Sequence, residues 1–294
     1  MRAVLVSSKS IWAQTARRFI ANRAATTAVF FLSVLIILCL LAPILTPYSY
    51  EQQNLELGAS APSWTHLFGT DANGRDLFTR VLYGGRVSLF VGVCATVVSL
   101  LIGVTYGAVS GYAGGRADAI MMRVVDTLYA QPFIVLVIVL MVVFGRNIYL
   151  MFAAIGAIEW LTMARIVRGQ VLSLKDQPFV KAATVLGYSR SRILFRHIVP
   201  NIMGHVVVYA TLTIPQVILL ESFLSFLGLG VQAPMSSWGL LIGDGAAAME
   251  TYPWLIIAPG LLLSGTLFAL NFIGDGLRDA LDPRFMPGSG GVLQ

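Results

Sequence analysis

The residues of this chain whose types and spacing suit chemistry fall into three groups. The first is basic and lies between two hydrophobic runs: Lys181, Arg190, Arg192 and Arg196, set among Phe179, Ala182, Ala183, Gly187 and Pro200. Cations at this density beside apolar side chains suit non-covalent docking of a partner surface. The second group is Glu159, Gln216 and Glu221, which lie inside otherwise apolar runs. An ionisable group at membrane depth is costly and faces a cavity or a partner. Each acid can therefore line a path and meet a cationic cargo group, or satisfy backbone amides freed where Pro215 disrupts a helix. The third group is Asp71, Asn73, Gly74, Arg75 and Asp76, a polar turn in a long connection, with Trp238 in a later segment. Such residues serve recognition or hold a loop in shape.

Covalent and metal chemistry find no support in the sequence. None of the three lysines, Lys9, Lys175 and Lys181, follows a glycine, so no phosphate-cradling loop exists. Gly228-Leu229-Gly230-Val231-Gln232-Ala233 superficially matches a dinucleotide fingerprint, but it follows an apolar run with no strand before it. His66, His197 and His205 are scattered, and neither His-Glu-x-x-His nor Gly-x-Ser-x-Gly occurs. Cys39 and Cys94 both fall inside apolar runs, which suggests packing and no disulfide framework. The expectation is a chain that is not an enzyme, with no metal site and no cofactor of its own. Any active transport then draws its energy from partner subunits or from an ion gradient.

The elements that position these residues are membrane helices. A chain of 294 residues with 57% hydrophobic and 12% charged residues is no soluble globule. A hydrocarbon core of about 30 Å needs roughly 20 apolar residues per helix. Six runs meet or approach that length: 26–45, 87–106, 127–144, 148–164, 204–227 and 254–273. The fourth is the shortest and contains Glu159. Before the first run lie Arg2, Lys9, Arg17, Arg18 and Arg23 with no acid, and the fourth and fifth runs flank Arg165, Arg168, Lys175, Lys181, Arg190, Arg192 and Arg196 against Asp176 alone. The segment 228–253 has no Lys or Arg, and 48–85 holds Glu51, Glu56, Asp71 and Asp76 against Arg75 and Arg80. Lys and Arg concentrate on the cytoplasmic side, so both termini are expected inside. The net charge of +6 is thus a topology signal and gives no reason to expect nucleic-acid binding. The first run is read as an uncleaved anchor, because its basic leader is long and Pro43 and Pro47 follow it in place of a cleavage site.

Local signals refine this picture. Pro178 suits the first turn of a helix, Gly187 the left-handed position past its end, and Ser189 the cap of a second short helix that Pro200 closes or kinks. Ser99, Gly103, Gly107 and Gly111 place small residues at four-residue spacing on one helical face, for close packing within the bundle or against a partner. Gly114-Gly115 predicts a tight turn, and Arg123 and Asp126, three apart, are expected to pair. The turn at 71–76 is expected to lead into a short amphipathic helix through Leu77, Phe78, Val81 and Leu82. Trp64, Trp238, Tyr252 and Trp254 suit either recognition or an interfacial aromatic belt.

The stretch from Lys181 to Pro200 resembles the EAA loop of bacterial ATP-binding-cassette importer permeases. Ala182, Ala183, Gly187 and Pro200 match in register, while Lys181 stands where the motif has Glu, His197 where it has Ile and Val199 where it has Leu. Further segments resemble the C-type permease of the peptide/nickel importer family: 68–76 (FGTDANGRD), 111–115 (GYAGG), 225–231 (SFLGLGV) and 271–284 (NFIGDGLRDALDPR). The resemblance covers nearly the whole chain from the first span onward.

It implies an all-α, polytopic integral membrane protein with six transmembrane helices and a type I ABC importer permease core. The implied layout is a cytoplasmic segment 1–25, an anchor 26–47, an extracytoplasmic segment 48–85, a permease core 86–275 with a coupling segment 177–200, and a cytoplasmic tail 276–294. The implied partners are a second homologous permease, two ATPase subunits that hold ATP and Mg, an extracytoplasmic solute-binding protein and the lipid bilayer, with no nucleic acid. On this likeness Phe179, Lys181, Ala182, Ala183, Gly187, Arg190, Arg192, Arg196 and Pro200 couple to an ATPase. Asp71, Asn73, Arg75, Asp76 and Trp238 are candidates for binding-protein docking, and Glu159, Gln216 and Glu221 for the translocation path. The function expected is one half of a path for di- and oligopeptides in a bacterial inner membrane. A nickel or nickel-chelate importer is the near alternative, and hydropathy alone also fits an ion-coupled secondary transporter.

Overall fold

A computed structural model of the protein describes residues 8–145 and 147–281, with the side chains of residues 8–12 and 148 left aside. Arg2, the start of the expected cytoplasmic segment, and the tail beyond residue 281, including Asp282, Pro283 and Arg284, lie outside the described residues.

Asn22 caps the first long helix, its side chain accepting from the Ala25 amide, and separates α1 (Ser8–Ala21) from α2 (Arg23–Leu40). A short α3 (Ala42–Leu45) follows, with Pro43 in its first turn. Asp76 caps α4 (Leu77–Ala113), whose 37 residues rise without a break. The short amphipathic helix expected at Leu77–Leu82 is the first turn and a half of this element. The reason is continuity: Tyr83, Gly84, Gly85 and Arg86 keep helical geometry and carry the chain into the apolar run.

Gly114, at φ +65°, turns the chain into α5 (Gly115–Tyr129). The run expected as one span over 127–144 is broken: α5 and α6 (Phe133–Phe144) meet at 70° around Pro132. Proline lacks the amide that would continue the ladder, and the residue before it avoids helical angles. At 12 residues α6 is about 18 Å long and does not span a bilayer unaided. α7 (Ile148–Leu174) extends well past the expected end at Ala164. The chain then forms α8 (Pro178–Val185), α9 (Arg190–Ile193), a π turn (Leu194–Ile198), α10 (Val199–Phe226), α11 (Trp238–Ala247) and α12 (Trp254–Leu281). Among the described residues, five helices are long and apolar enough to cross a membrane, and six if the bent pair counts as one.

Pro200 does not close the second short helix. Arg190–Phe226 is one continuous helix of 37 residues, and the widened turn at Leu194–Ile198 accommodates the proline that follows.

The small-residue stripe serves the chain's own bundle. A Cβ on Gly103 would come within 2.6 Å of the Met163 Cβ, one on Gly111 within 2.9 Å of the Arg168 carbonyl, and one on Gly107 would strike the Ala164 backbone. α4 and α7 therefore pack backbone to backbone, which in lipid replaces the missing hydrophobic drive between helices. Around this pair, α10 and α12 complete the bundle, and α2 lies against α12. The buried Cys39 belongs to the cluster of Leu35, Leu77, Val81 and Trp238.

At the rim that carries most of the basic residues, Asp118 of α5 accepts two hydrogen bonds from Arg168 of α7, each 2.6 Å, and one from Ser110. The expected Arg123–Asp126 pair does not form. Asp126 pairs instead with Arg165 at 2.8 Å, because the packing of α5 on α7 brings that longer reach into register.

Candidate functional site

The basic elbow is built by helix ends. Past Val185 the Gly187 amide donates to the Thr184 carbonyl (3.0 Å) and the Tyr188 amide to the Ala183 carbonyl (3.2 Å), a glycine-terminated helix stop that needs the left-handed φ of +78° at Gly187. Ser189 accepts from the Arg192 amide at 3.4 Å and starts α9. Val180 and Ala183 turn inward onto Ile193, Leu194 and Ile198, which fastens α8 to the foot of α10.

The other face of the elbow has no cover among the described residues. Val185 is 89% exposed and Leu186 71%, with Phe179 and Phe195 also open, among exposed Lys181, Ala182, Arg190, Arg192, Arg196 and Pro200. A contiguous apolar patch rimmed by cations marks a macromolecular contact. The Arg192 guanidinium lies 4.7 Å from the Tyr188 ring centroid, and that ring stacks on His197 at 5.6 Å. Tyr188 thus braces the elbow, and its signal in the sequence is an aromatic placed directly after the helix-ending glycine.

At the opposite rim, Asp71 gathers a knot. It accepts from the Asn73 and Arg75 amides (2.9 and 3.0 Å), from Arg75 Nε (2.7 Å) and from Arg80 Nη1 (2.6 Å). Asp76 accepts from the amide and hydroxyl of Thr79 and pairs with His66 Nδ1 at 2.9 Å. Asp71, Arg75 and Asp76 are buried, Asn73 is half-buried, and Trp238 is wholly enclosed. The Trp238 indole donates to the Val81 carbonyl (3.0 Å), and its ring lies where a Cβ on Gly85 would be. The Asp71, Arg75, Asp76 and Trp238 side chains, expected at a docking surface, are turned into the chain, where they meet their hydrogen-bond partners, while Asn73 is held through its backbone. What the knot presents outward is the exposed stretch 51–57 and the fully open Trp64. Trp238 is a core plug and belongs to no interfacial belt, whereas Trp254 donates to the Thr70 carbonyl at 3.4 Å.

Arg80, which the sequence reading leaves among the outer charges, is the centre of this region. It is 1% exposed, bonded to Asp71, and 3.8 Å from Asp244 of α11. Partial burial pushes the Asp244 carboxyl above its ordinary value, with Arg80 and Arg75 opposing the shift, although half of the side chain still meets solvent.

The three path candidates separate. Glu221 is sealed in the interior: hydroxyls of Ser88, Ser225 and Ser222 donate to it at 3.0, 2.7 and 3.4 Å. That carboxyl joins α10 to α4 and has no exposure on this chain. Ser225 was legible as the residue one helical turn beyond Glu221; Ser88 was not, since it comes from another span. Glu159 is half-buried and Gln216 exposed, and neither side chain has a hydrogen bond among the described residues. Glu159 lies within electrostatic reach of Tyr209 on α10. Among the described residues no group of three or more His, Cys, Asp or Glu side chains is placed to hold a metal ion.

Comparison with known proteins agrees with this architecture. Residues 103–287 match the family model described as the binding-protein-dependent transport system inner membrane component, and residues 10–62 match the N-terminal transmembrane domain of oligopeptide transport permease C. The chain is 53% identical over 281 residues to the oligopeptide transport system permease protein OppC of Haemophilus influenzae, covering 95% of this chain and 90% of the relative. The Escherichia coli OppC protein is also 53% identical, with 95% and 93% covered. The dipeptide transport system permease protein DppC of Bacillus subtilis is 46% identical, with 91% and 84% covered.

Proposed function

Since the chain belongs to the family of inner-membrane components of binding-protein-dependent transport systems, we propose that it forms one half of an ATP-driven path for di- and oligopeptides. It is a membrane transport component and not itself an enzyme. In this reading the basic rim is cytoplasmic, as the placement of Lys and Arg requires, and both termini lie on that side. The second half of the path is a homologous permease. Two ATPase subunits hold ATP and Mg, and a solute-binding protein delivers cargo to the opposite rim, where the stretch 51–57 and Trp64 stand free to meet it. The peptide assignment follows the names of the OppC and DppC relatives, and nothing in the donor chemistry favours nickel.

The observation that carries this reading is the elbow. Its fastened inner face and bare outer face make it a rigid handle for a moving partner. An ATPase groove seated on Phe179, Lys181, Val185, Leu186 and Arg192 displaces α8, and α8 displaces the foot of α10. Lys181, where related loops have Glu, calls for an acidic counterpart in that groove.

The test is purification in mild detergent, with identification of the co-purifying proteins and bound ligand, and crosslinking from an Arg192→Cys variant. The expected result is an ATPase subunit crosslinked at the elbow and a peptide-loaded binding protein. An elbow reached only from outside the cell, or one that never touches an ATPase, would overturn it.

A further inference from the structure

Arg86 is the last charged residue of α4. Beyond it Val87–Ala113 carries no Asp, Glu, Lys or Arg, about 40 Å of helix. The Arg86 side chain is half-buried. Its guanidinium lies 5.3 Å from the Tyr83 ring centroid, and the Tyr50 ring packs on Tyr83 at 4.6 Å. Among the described residues Arg86 has neither a hydrogen bond nor an ion pair. A guanidinium laid over a ring keeps the N–H groups at its edge for an anion. A half-buried cation at the border of the membrane, with no counter-charge of its own, calls for one from outside.

The face of α4 that continues from Arg86 is apolar. Phe90, Val93, Val97 and Leu101 follow it at intervals of four, three, four and four residues and so share its side of the helix. All four are exposed, Phe90 by 61% and Leu101 by 66%. Branched and aromatic side chains of this kind do not seat a second helix closely. The small residues that do, Gly103 and Gly107, are directed to α7.

We propose that Arg86 holds the phosphodiester of a net-negative phospholipid in the leaflet opposite the elbow, with one acyl chain laid along Phe90, Val93, Val97 and Leu101. The inference requires only that the chain is embedded in a membrane and is independent of the cargo. An arginine stem lies along apolar surface while its head stays at the interface, the layer that lipid headgroups occupy. The guanidinium fork matches a phosphate through paired, charge-assisted hydrogen bonds. A zwitterionic lipid fits less well, because its ammonium adds a second cation beside Arg86. Tyr83 and Tyr50 fix the guanidinium from one side, so the site is formed before the lipid arrives.

The test places the assembled importer in phosphatidylcholine nanodiscs that contain a trace of photolipid. The photolipid is phosphatidylglycerol in one sample and phosphatidylcholine in the other, each with a diazirine in the acyl chain. After irradiation, adducts on residues 87–101 are quantified by mass spectrometry of peptic fragments. The expected phosphatidylglycerol preference is about 5-fold, the enrichment that one cation at a lipid surface brings. Arg86→Gln is expected to bring the ratio near one, and Arg86→Lys, which keeps the charge, to retain a preference. Glycerol phosphate, the soluble head alone, is expected to leave the adduct in place. A wild-type ratio near one, or a preference that Arg86→Gln does not move, would overturn the site. An absence of adduct with both lipids would also overturn it and would mean that a partner subunit covers this face. Displacement by glycerol phosphate would replace the lipid with a free anion.

Discussion

Ser88 on α4 donates a 3.0 Å hydrogen bond to Glu221 on α10, joining two spans through a carboxyl group with no exposure at all. The same Ser88 oxygen accepts from the Trp238 amide at 3.3 Å, so α11 is tied to the same point.

Glu221→Gln keeps shape and acceptor capacity at one oxygen, and its expected cost is about 1 kcal/mol. Glu221→Ala leaves three hydroxyls without their acceptor and opens a void, for about 3 kcal/mol or more. Thermal unfolding in detergent ranks the two. Uptake by the Gln variant is expected to keep its substrate range, since this carboxyl is fully buried within the chain.

The α4–α7 seam gives a paired prediction. Gly107→Val drives a branched side chain into the Ala164 backbone and is expected to destabilise by about 1–3 kcal/mol. Gly169→Ala, on the same α7 but with nothing near the added methyl, is expected to be neutral or to stabilise by about 0.5–1 kcal/mol. Melting temperatures of the two purified variants decide it, and equal shifts would contradict the seam.

Gly187→Pro forces φ from +78° to the proline value and removes the amide bonded to Thr184, a change worth about 3 kcal/mol at the elbow. Arg192→Glu reverses the charge stacked on Tyr188. Both variants are expected to insert normally and to lose peptide uptake per ATP hydrolysed, measured in proteoliposomes. Wild-type coupling in both would remove the elbow from the mechanism.

Asp71→Ala strands the Arg80 guanidinium, which is almost wholly buried. Removing one partner of such a pair costs about 3–5 kcal/mol. Loss of folded protein at 37 °C, with Glu56→Ala as an exposed control, is the expected result.

The pH dependence of Asp244 has a definite sign. Its carboxyl is raised by burial, so the fold disfavours the ionised form. That penalty is complete above the folded value and disappears as pH falls below the ordinary carboxylate value. As pH falls toward the ordinary carboxylate value, the wild type is expected to gain a small amount of stability relative to Asp244→Asn, since half of the side chain meets solvent. A melting difference that stays flat with pH would refute this.

Much of this was readable from residue order. Length and apolarity located the spans, and Pro178, Gly187 and Ser189 set the elbow because they act on their own backbone. Interactions that depend on which helices become neighbours were not readable. Ser88 and Glu221 are 133 residues apart, and Arg165 displaces Arg123 as the partner of Asp126 through packing alone. The acids and tryptophan taken for surface recognition are inside for a related reason: a polar residue in a loop reads as exposed until its partners are seen. The break in the third span was signalled by Pro132, yet an unbroken apolar run masked it.

The helix from Arg190 to Phe226 is about 55 Å long and slackens its hydrogen bonding at the π turn beside the elbow and at Pro215, which has no amide to donate. A tilt imposed at its foot must either be absorbed at those two places or reach Phe226, against whose backbone Gly243 of α11 closely packs. Helix α11 at the far rim and the elbow at the near rim are thus joined by a single helix, whose compliance is concentrated at Leu194–Ile198 and at Pro215.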